Sequence, residues 1–186
     1  MDATSAALQH TLLYVLVPLW FLVGFADYLC HRVQHIERSA GLKEAAIHLL
    51  LITELGFGFL AALLLEINAG ALAVLIGILL LHELTAWWDL AYAASRRRIP
   101  VPEQWVHGLQ ESLPWVGLAG LMVLHPDQSL ALIGLGNAAP DWTLNPRPPP
   151  LPPKVLGGFA LAGLLLVVLP FVAEFRRSRS NRSILR

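Results

Sequence analysis

The sequence predicts an all-α fold: a polytopic membrane helical bundle of five transmembrane helices, with the N-terminus outside and the C-terminus cytoplasmic. Three observations lead there. The first is composition: of 186 residues, 56% are hydrophobic and 14% charged, with a mean hydropathy of +0.60. Soluble domains are nearer a quarter charged, and so little polar surface cannot coat a water-soluble globule. The second is length: five apolar stretches match the roughly 20 helical residues that cross a hydrocarbon core about 30 Å thick. The third is that basic residues collect on alternate connections, which sets orientation. The same numbers exclude a disordered chain. A lone cysteine, Cys30, excludes a disulfide-stapled fold. Lys+Arg and Asp+Glu balance at 13 each, so no nucleic-acid partner is expected.

The first span covers about residues 12–32. No Lys or Arg precedes it and no small-residue cleavage site follows, so it is expected to stay as a helix rather than leave as a signal peptide. The second covers about 45–67 and the third about 71–94. The fourth covers about 103–124: Pro102 suits a helix start, Glu103 suits the dipole of the first turn, and Pro114 is expected to bend the helix. The fifth covers about 155–175 and holds no internal polar residue except Glu174 at its end, so a purely structural role is expected. Before it, residues 140–153 form a Pro-rich outer connection that favours extended polyproline structure and reads as a stiff spacer. After it, residues 176–186 form a basic cytoplasmic tail. Arg32, Arg38 and Lys43, then Arg96, Arg97 and Arg98, then the tail arginines (Arg176, Arg177, Arg179, Arg182, Arg186) fall on one side, against Arg147 and Lys154 on the other. The chain is expected to form a single membrane domain.

Ionisable residues inside spans are expensive and usually functional. Here they are ordered. Asp27, His31 and His35 follow one another at steps of four, as do Glu44 and His48, and Glu103, His107 and Glu111; His82 and Asp89 are seven apart. A step of four drifts about 40° around a helix and a step of seven about 20°, so each set is a stripe. Counted inward at about 1.5 Å per residue, His31, His48, Asp89 and His107 lie roughly 8–12 Å from one membrane face, and Asp27, His82 and Glu111 roughly 14–20 Å. The stripes are therefore expected to meet. Glu54 lies about 120° from His48 and joins only if its face turns inward. Glu83 is expected as an orienting partner of His82, and one of Trp87 and Trp88 as a wall against lipid.

Imidazole mixed with carboxylate suits zinc, iron and manganese. The set is generous enough for two metal ions, with iron the expected metal and zinc or manganese as alternatives. The expected ligands are Asp27, His31, His48, His82, Asp89, His107 and Glu111. His35, Glu44 and Glu103, nearer the water, are expected to gate access or complete the coordination, and Glu54 stands with them. Di-iron helical bundles draw ligands from four helices in this way, although they use Glu-x-x-His and the spacing here is Glu-x-x-x-His. The expected function is oxidation of a lipid-soluble substrate, with an external electron donor or partner protein. Haem clamped by His31 and His48, or by His82 and His107, is an alternative. Others are a non-catalytic electron-transfer or metal-binding protein, a zinc-dependent lipid hydrolase, and a network of satisfied ion pairs. His31-Arg-Val-Gln-His35 has zincin spacing but lacks the catalytic Glu.

His82-Glu-Leu-Thr-Ala-Trp-Trp-Asp-Leu-Ala-Tyr92, Arg96-Arg97, Pro102-Glu-Gln104, His107 and Glu111, together with Asp27-Tyr-Leu-Cys-His-Arg32, give the chain its resemblance to a group of small polytopic bacterial inner-membrane proteins. The resemblance spans roughly the first two thirds of the chain. It implies an inner-membrane location and no particular activity.

Overall fold

The computed structural model describes residues 2–184, so Arg186 of the basic tail lies outside the described residues, as does the side chain of Arg182. The chain is 81% helix, with no strands among the described residues.

Helix α1, Ala3–Gln34, opens on Asp2, whose carboxylate accepts from the Ser5 amide at 2.8 Å. It carries a π-helical turn at Leu12–Leu16. It begins nine residues before the expected span, because the cap lies upstream of the apolar run. It ends where His35 turns left-handed at φ 52. A 3₁₀ turn, Ile36–Arg38, leads to α2, Gly41–Leu64. Gly41 has φ 70, a conformation only glycine adopts without strain. Helix α3, Ala69–Ala94, is capped by Asn68, whose Oδ1 accepts from the Ala71 amide at 3.0 Å. Helix α4, Val101–Leu124, starts after Pro100 and runs through Pro114. A short α5, Pro126–Leu132, follows. Helix α6, Pro153–Asn181, has a second π-helical turn at Leu164–Val168, and its helical turns continue to Ile184 through the stretch expected as a tail.

Four helices (α1, α2, α3 and α6) are long and apolar enough to cross a membrane. Helix α4, expected as the fourth span, equals α2 in length at 24 residues but is not among them. It carries Glu103, Gln104, His107, Gln110, Glu111 and Ser112 within its first half, and that polarity lowers its hydropathy. Helix α2 packs most closely on α3 and also on the C-terminal part of α6, while α1 packs on α4. Leu55, Leu72, Leu75, Leu79 and Leu118 form the apolar core.

The outside of the bundle is apolar: Phe57, Leu84, Trp87 and Val123 are each at least 64% exposed. Trp88 is 44% exposed, so neither tryptophan of that pair walls the cluster. The inside holds the carboxylates and imidazoles. That distribution inverts a soluble protein and suits lipid as the solvent.

The connection after α5 is not a free spacer. Leu65 pairs with Pro146, the Glu66 amide donates to the Asn145 carbonyl, and the Arg147 amide donates to the Leu64 carbonyl. Where it crosses Gly70, a Cβ would stand 2.8 Å from the Trp142 backbone. Only glycine allows that approach.

Candidate metal centre

Glu174 organises the centre. Phe171 and Glu174, three residues apart on α6, reach the same space between α1 and α2. The Glu174 carboxylate takes His31 Nδ1 at 3.0 Å and His48 Nδ1 at 2.8 Å. The two imidazoles stack, 4.4 Å between centroids and 12° between planes, and Phe171 stands edge-on to both. With both Nδ1 atoms on one carboxylate, both Nε2 atoms point away from it, side by side. Rings stacked in this way leave no slot between them for a porphyrin.

His31 Nε2 faces Asp27 Oδ1 at 3.5 Å and Glu103 Oε1 at 3.4 Å. His107 Nε2 lies 2.9 Å from the same Asp27 oxygen and 3.9 Å from the same Glu103 oxygen. Metal–ligand bonds of about 2.0–2.2 Å put tetrahedral ligands roughly 3.3–3.6 Å apart, a range that the two His31 distances meet and the two His107 distances, 2.9 and 3.9 Å, straddle. His48 Nε2 faces Asp89 Oδ2 at 3.3 Å and Glu44 Oε1 at 4.0 Å. Two triads have ligand atoms within 4.8 Å of one another: Asp27, His31 and His107, and His31, Glu44 and His48. Either could hold a metal ion. His31 Nε2 is buried and makes no hydrogen bond, although carboxylate oxygens of Asp27 and Glu103 lie 3.5 and 3.4 Å from it. Buried polar atoms in native proteins are nearly always paired, so this one calls for an explanation.

Glu44 and Glu103, expected near the water, are fully buried. The reason is Arg97, which the charge count placed only on one side of the membrane with Arg96 and Arg98. It tucks under the bundle with a side chain 6% exposed and bridges both acids, its Nη2 2.5 Å from each. Its Nη1 also donates to Gln34 Oε1 at 2.8 Å, and the Gln34 amide donates to Glu103. Outside the membrane-crossing segments, these two carboxylates raise the Arg97 pKa further above its ordinary value. Arg97 thus pairs with two of five buried carboxylates, Glu44 and Glu103, and leaves Asp27, Asp89 and Glu174 without a guanidinium. Positive charge has to come from metal ions or from protons on the imidazoles.

His82 and Glu111 do not reach these triads. They form a separate group with Glu54: His82 Nδ1 is 3.5 Å from Glu54 Oε2, and His82 Nε2 is 3.7 Å from Glu111 Oε2. Thr85 donates to Glu54 Oε1 at 2.8 Å, which fixes that carboxylate. Glu54 therefore does turn inward, against α3. His35 joins nothing: α1 has ended, its side chain is 57% exposed, and it pairs with Glu37. Glu83 accepts from the Trp115 indole at 2.6 Å and is not bonded to His82.

Sequence reasoning missed Glu174, Arg97, Gln34 and Thr85. Glu174 had a signal, as the one carboxylate of a span otherwise free of charge. Arg97 had none, since nothing separates it from Arg96 and Arg98.

A cavity of about 610 Å³ opens beside the centre. Asp27, His48, His82, Asp89, His107 and Glu111 line one end of it, and Trp20, Phe21, Leu55, Phe59, Leu63 and Phe159 line the other. Compared with protein families, curated proteins and solved structures, the chain matches none.

Proposed function

We propose that this is a membrane-embedded metalloprotein holding two metal ions, iron in its working form, and that it oxidises a lipid-soluble substrate. One observation carries the reading. A single carboxylate, Glu174, holds two parallel imidazoles 4.4 Å apart by their Nδ1 atoms, which leaves His31 Nε2 facing Asp27 and Glu103 and His48 Nε2 facing Asp89 and Glu44. Two-metal sites keep their ions about 3.5–4 Å apart, a spacing that such a pair can serve. Orienting carboxylates on the far ring nitrogen are the usual companions of ligating histidines. His31, His107, Asp27 and Glu103 would hold one ion, and His48, Asp89 and Glu44 the other. The donors are nitrogen and oxygen only, which suits iron. Bound iron would supply activation of dioxygen: a substrate C–H becomes C–OH, the second oxygen leaves as water, and an external donor supplies two electrons with two protons. The apolar cavity would hold the substrate against the centre and keep bulk water out.

We read all five long helices as spans in a bacterial inner membrane, with the N-terminus outside and the C-terminus cytoplasmic. The polarity of α4 is then the polarity of its inward stripe, and the centre lies in the cytoplasmic half.

Metal analysis and an absorption spectrum of protein purified without chelator test the proposal. About two irons per chain is the expected result. An intense Soret band would replace the reading with haem, and stoichiometric zinc with a hydrolase. Absence of metal after reconstitution with iron, manganese and zinc would leave only a network of ion pairs.

A further inference from the structure

We propose that the cavity beside the centre binds a single-chain amphiphile with a hydroxyl or amine head, and not a fatty acid or a diacyl phospholipid. The proposal deepens the functional reading by naming a substrate class for the same site.

Size argues for one chain. At about 30 Å³ per heavy atom, the share of one liquid water, 610 Å³ holds roughly 20 atoms, enough for one chain and its head. The apolar part follows α2 from Leu55 to Leu64, about 14 Å at 1.5 Å per residue, close to half of a 30 Å hydrocarbon core. That is the reach of one acyl chain in one leaflet. Trp20, Phe21, Phe59, Leu63, Phe159 and Leu164 wall it.

Charge argues for the head. No Lys or Arg lines the cavity, while Asp27, Asp89 and Glu111 do. A carboxylate or phosphate head would meet these anions with no Lys or Arg to pair with, and the imidazoles of His48, His82 and His107 that share this end each already face a carboxylate of the protein. Two buried acceptors, Asp89 Oδ1 and Glu111 Oε2, make no hydrogen bond within the protein: Asp89 meets His48 through its other oxygen, and Glu111 Oε2 lies 3.7 Å from His82 Nε2. Both residues line the polar end. A hydroxyl or amine brings the donors that these oxygens lack, and a carboxylate brings none.

The test is scintillation-proximity binding of tritiated 1-dodecanol to the purified full-length protein in detergent. Saturable binding is expected, displaced by dodecylamine, with dodecanoate and dioleoyl phosphatidylcholine weaker by about tenfold or more. Gly56 lines the cavity, and a Cβ there would meet nothing within 4 Å, so Gly56→Phe should fill the space without a clash. It should weaken dodecanol binding about tenfold while the thermal unfolding midpoint stays put. Gly163→Leu, from the opposite wall, should do the same. Unchanged binding in both plugged variants would overturn the site, and dodecanoate competing as well as dodecylamine would overturn the head group. Chelator-treated wild-type protein separates the two proposals. Dodecanol binding to a protein that takes up no metal keeps the amphiphile site and removes the metal reading. A metal-loaded protein that does not bind dodecanol does the reverse.

Discussion

Both ends of the bundle hold polar groups and treat them differently. At the end where α2 turns into α3, side chains serve the backbone. Asn68 Oδ1 caps α3 while its amide donates to the Thr143 carbonyl at 2.9 Å. Gln128 Oε1 accepts from the Ala69 and Asp141 amides at 3.2 and 2.9 Å. None of these groups is among the buried atoms left without a partner. At the other end, side chains face side chains across five helices, and His31 Nε2 and Asp89 Oδ1 remain buried without a hydrogen bond. The first arrangement closes a fold. The second spends stability on atoms that only an added cation or donor can satisfy, and such atoms mark function more than support.

Variants should break this comparison at one end and leave the other intact. The largest effect is expected from His31→Ala, because His31 belongs to both triads. Its metal content, read by elemental analysis, should fall from about two ions per chain to about one. Next comes Arg97→Met, which strands Glu44 and Glu103 as buried, unpaired charges. Removing one partner of a buried ion pair costs about 3–5 kcal/mol, so a large drop in the thermal unfolding midpoint is expected. Glu174→Gln keeps the volume and loses the charge that orients both imidazoles. Metal affinity should fall by about 10–100-fold in a competition titration, with little change in unfolding.

At the opposite end the effects should be smaller and leave metal alone. Asn68→Ala should cost about 1 kcal/mol of stability, the ordinary worth of a helix cap, with metal content unchanged. Smallest is a pH effect at Asp141. The Thr143 amide and hydroxyl bond its carboxylate at 2.9 and 2.7 Å and hold its pKa below the ordinary aspartate value. A lowered folded-state pKa adds stability above the unfolded value and loses it as pH falls through the folded one. The unfolding-midpoint difference between wild type and Asp141→Asn should therefore shrink between about pH 6 and about pH 3. A gap that widened on acidification would contradict this account.

Periodicity made much of the centre legible. Asp27, His31, His48, Asp89 and His107 sit on stripes, and a stripe of charge in an apolar helix faces inward wherever the helix packs. Periodicity failed in three ways. It continued α1 through His35, although a left-handed residue ends the helix there. It merged His82 and Glu111 with the others, although seven residues of helix separate His82 from Asp89 by roughly 10 Å along the axis. It also valued Glu174 by its lack of neighbours on its own helix, whereas both of its partners lie on other helices.

The sequence by itself determined that the chain is helical and apolar outside, with its acids and histidines on defined faces, because hydropathy and a 3.6-residue period are local properties. Which of those residues meet was decided by tertiary structure alone. Helix rotation and the path of one loop arginine bring together groups as far apart as His31 and Glu174, and no local pattern encodes that approach. The parallel pair of imidazoles on a single carboxylate, on which the chemistry rests, belongs wholly to that second category.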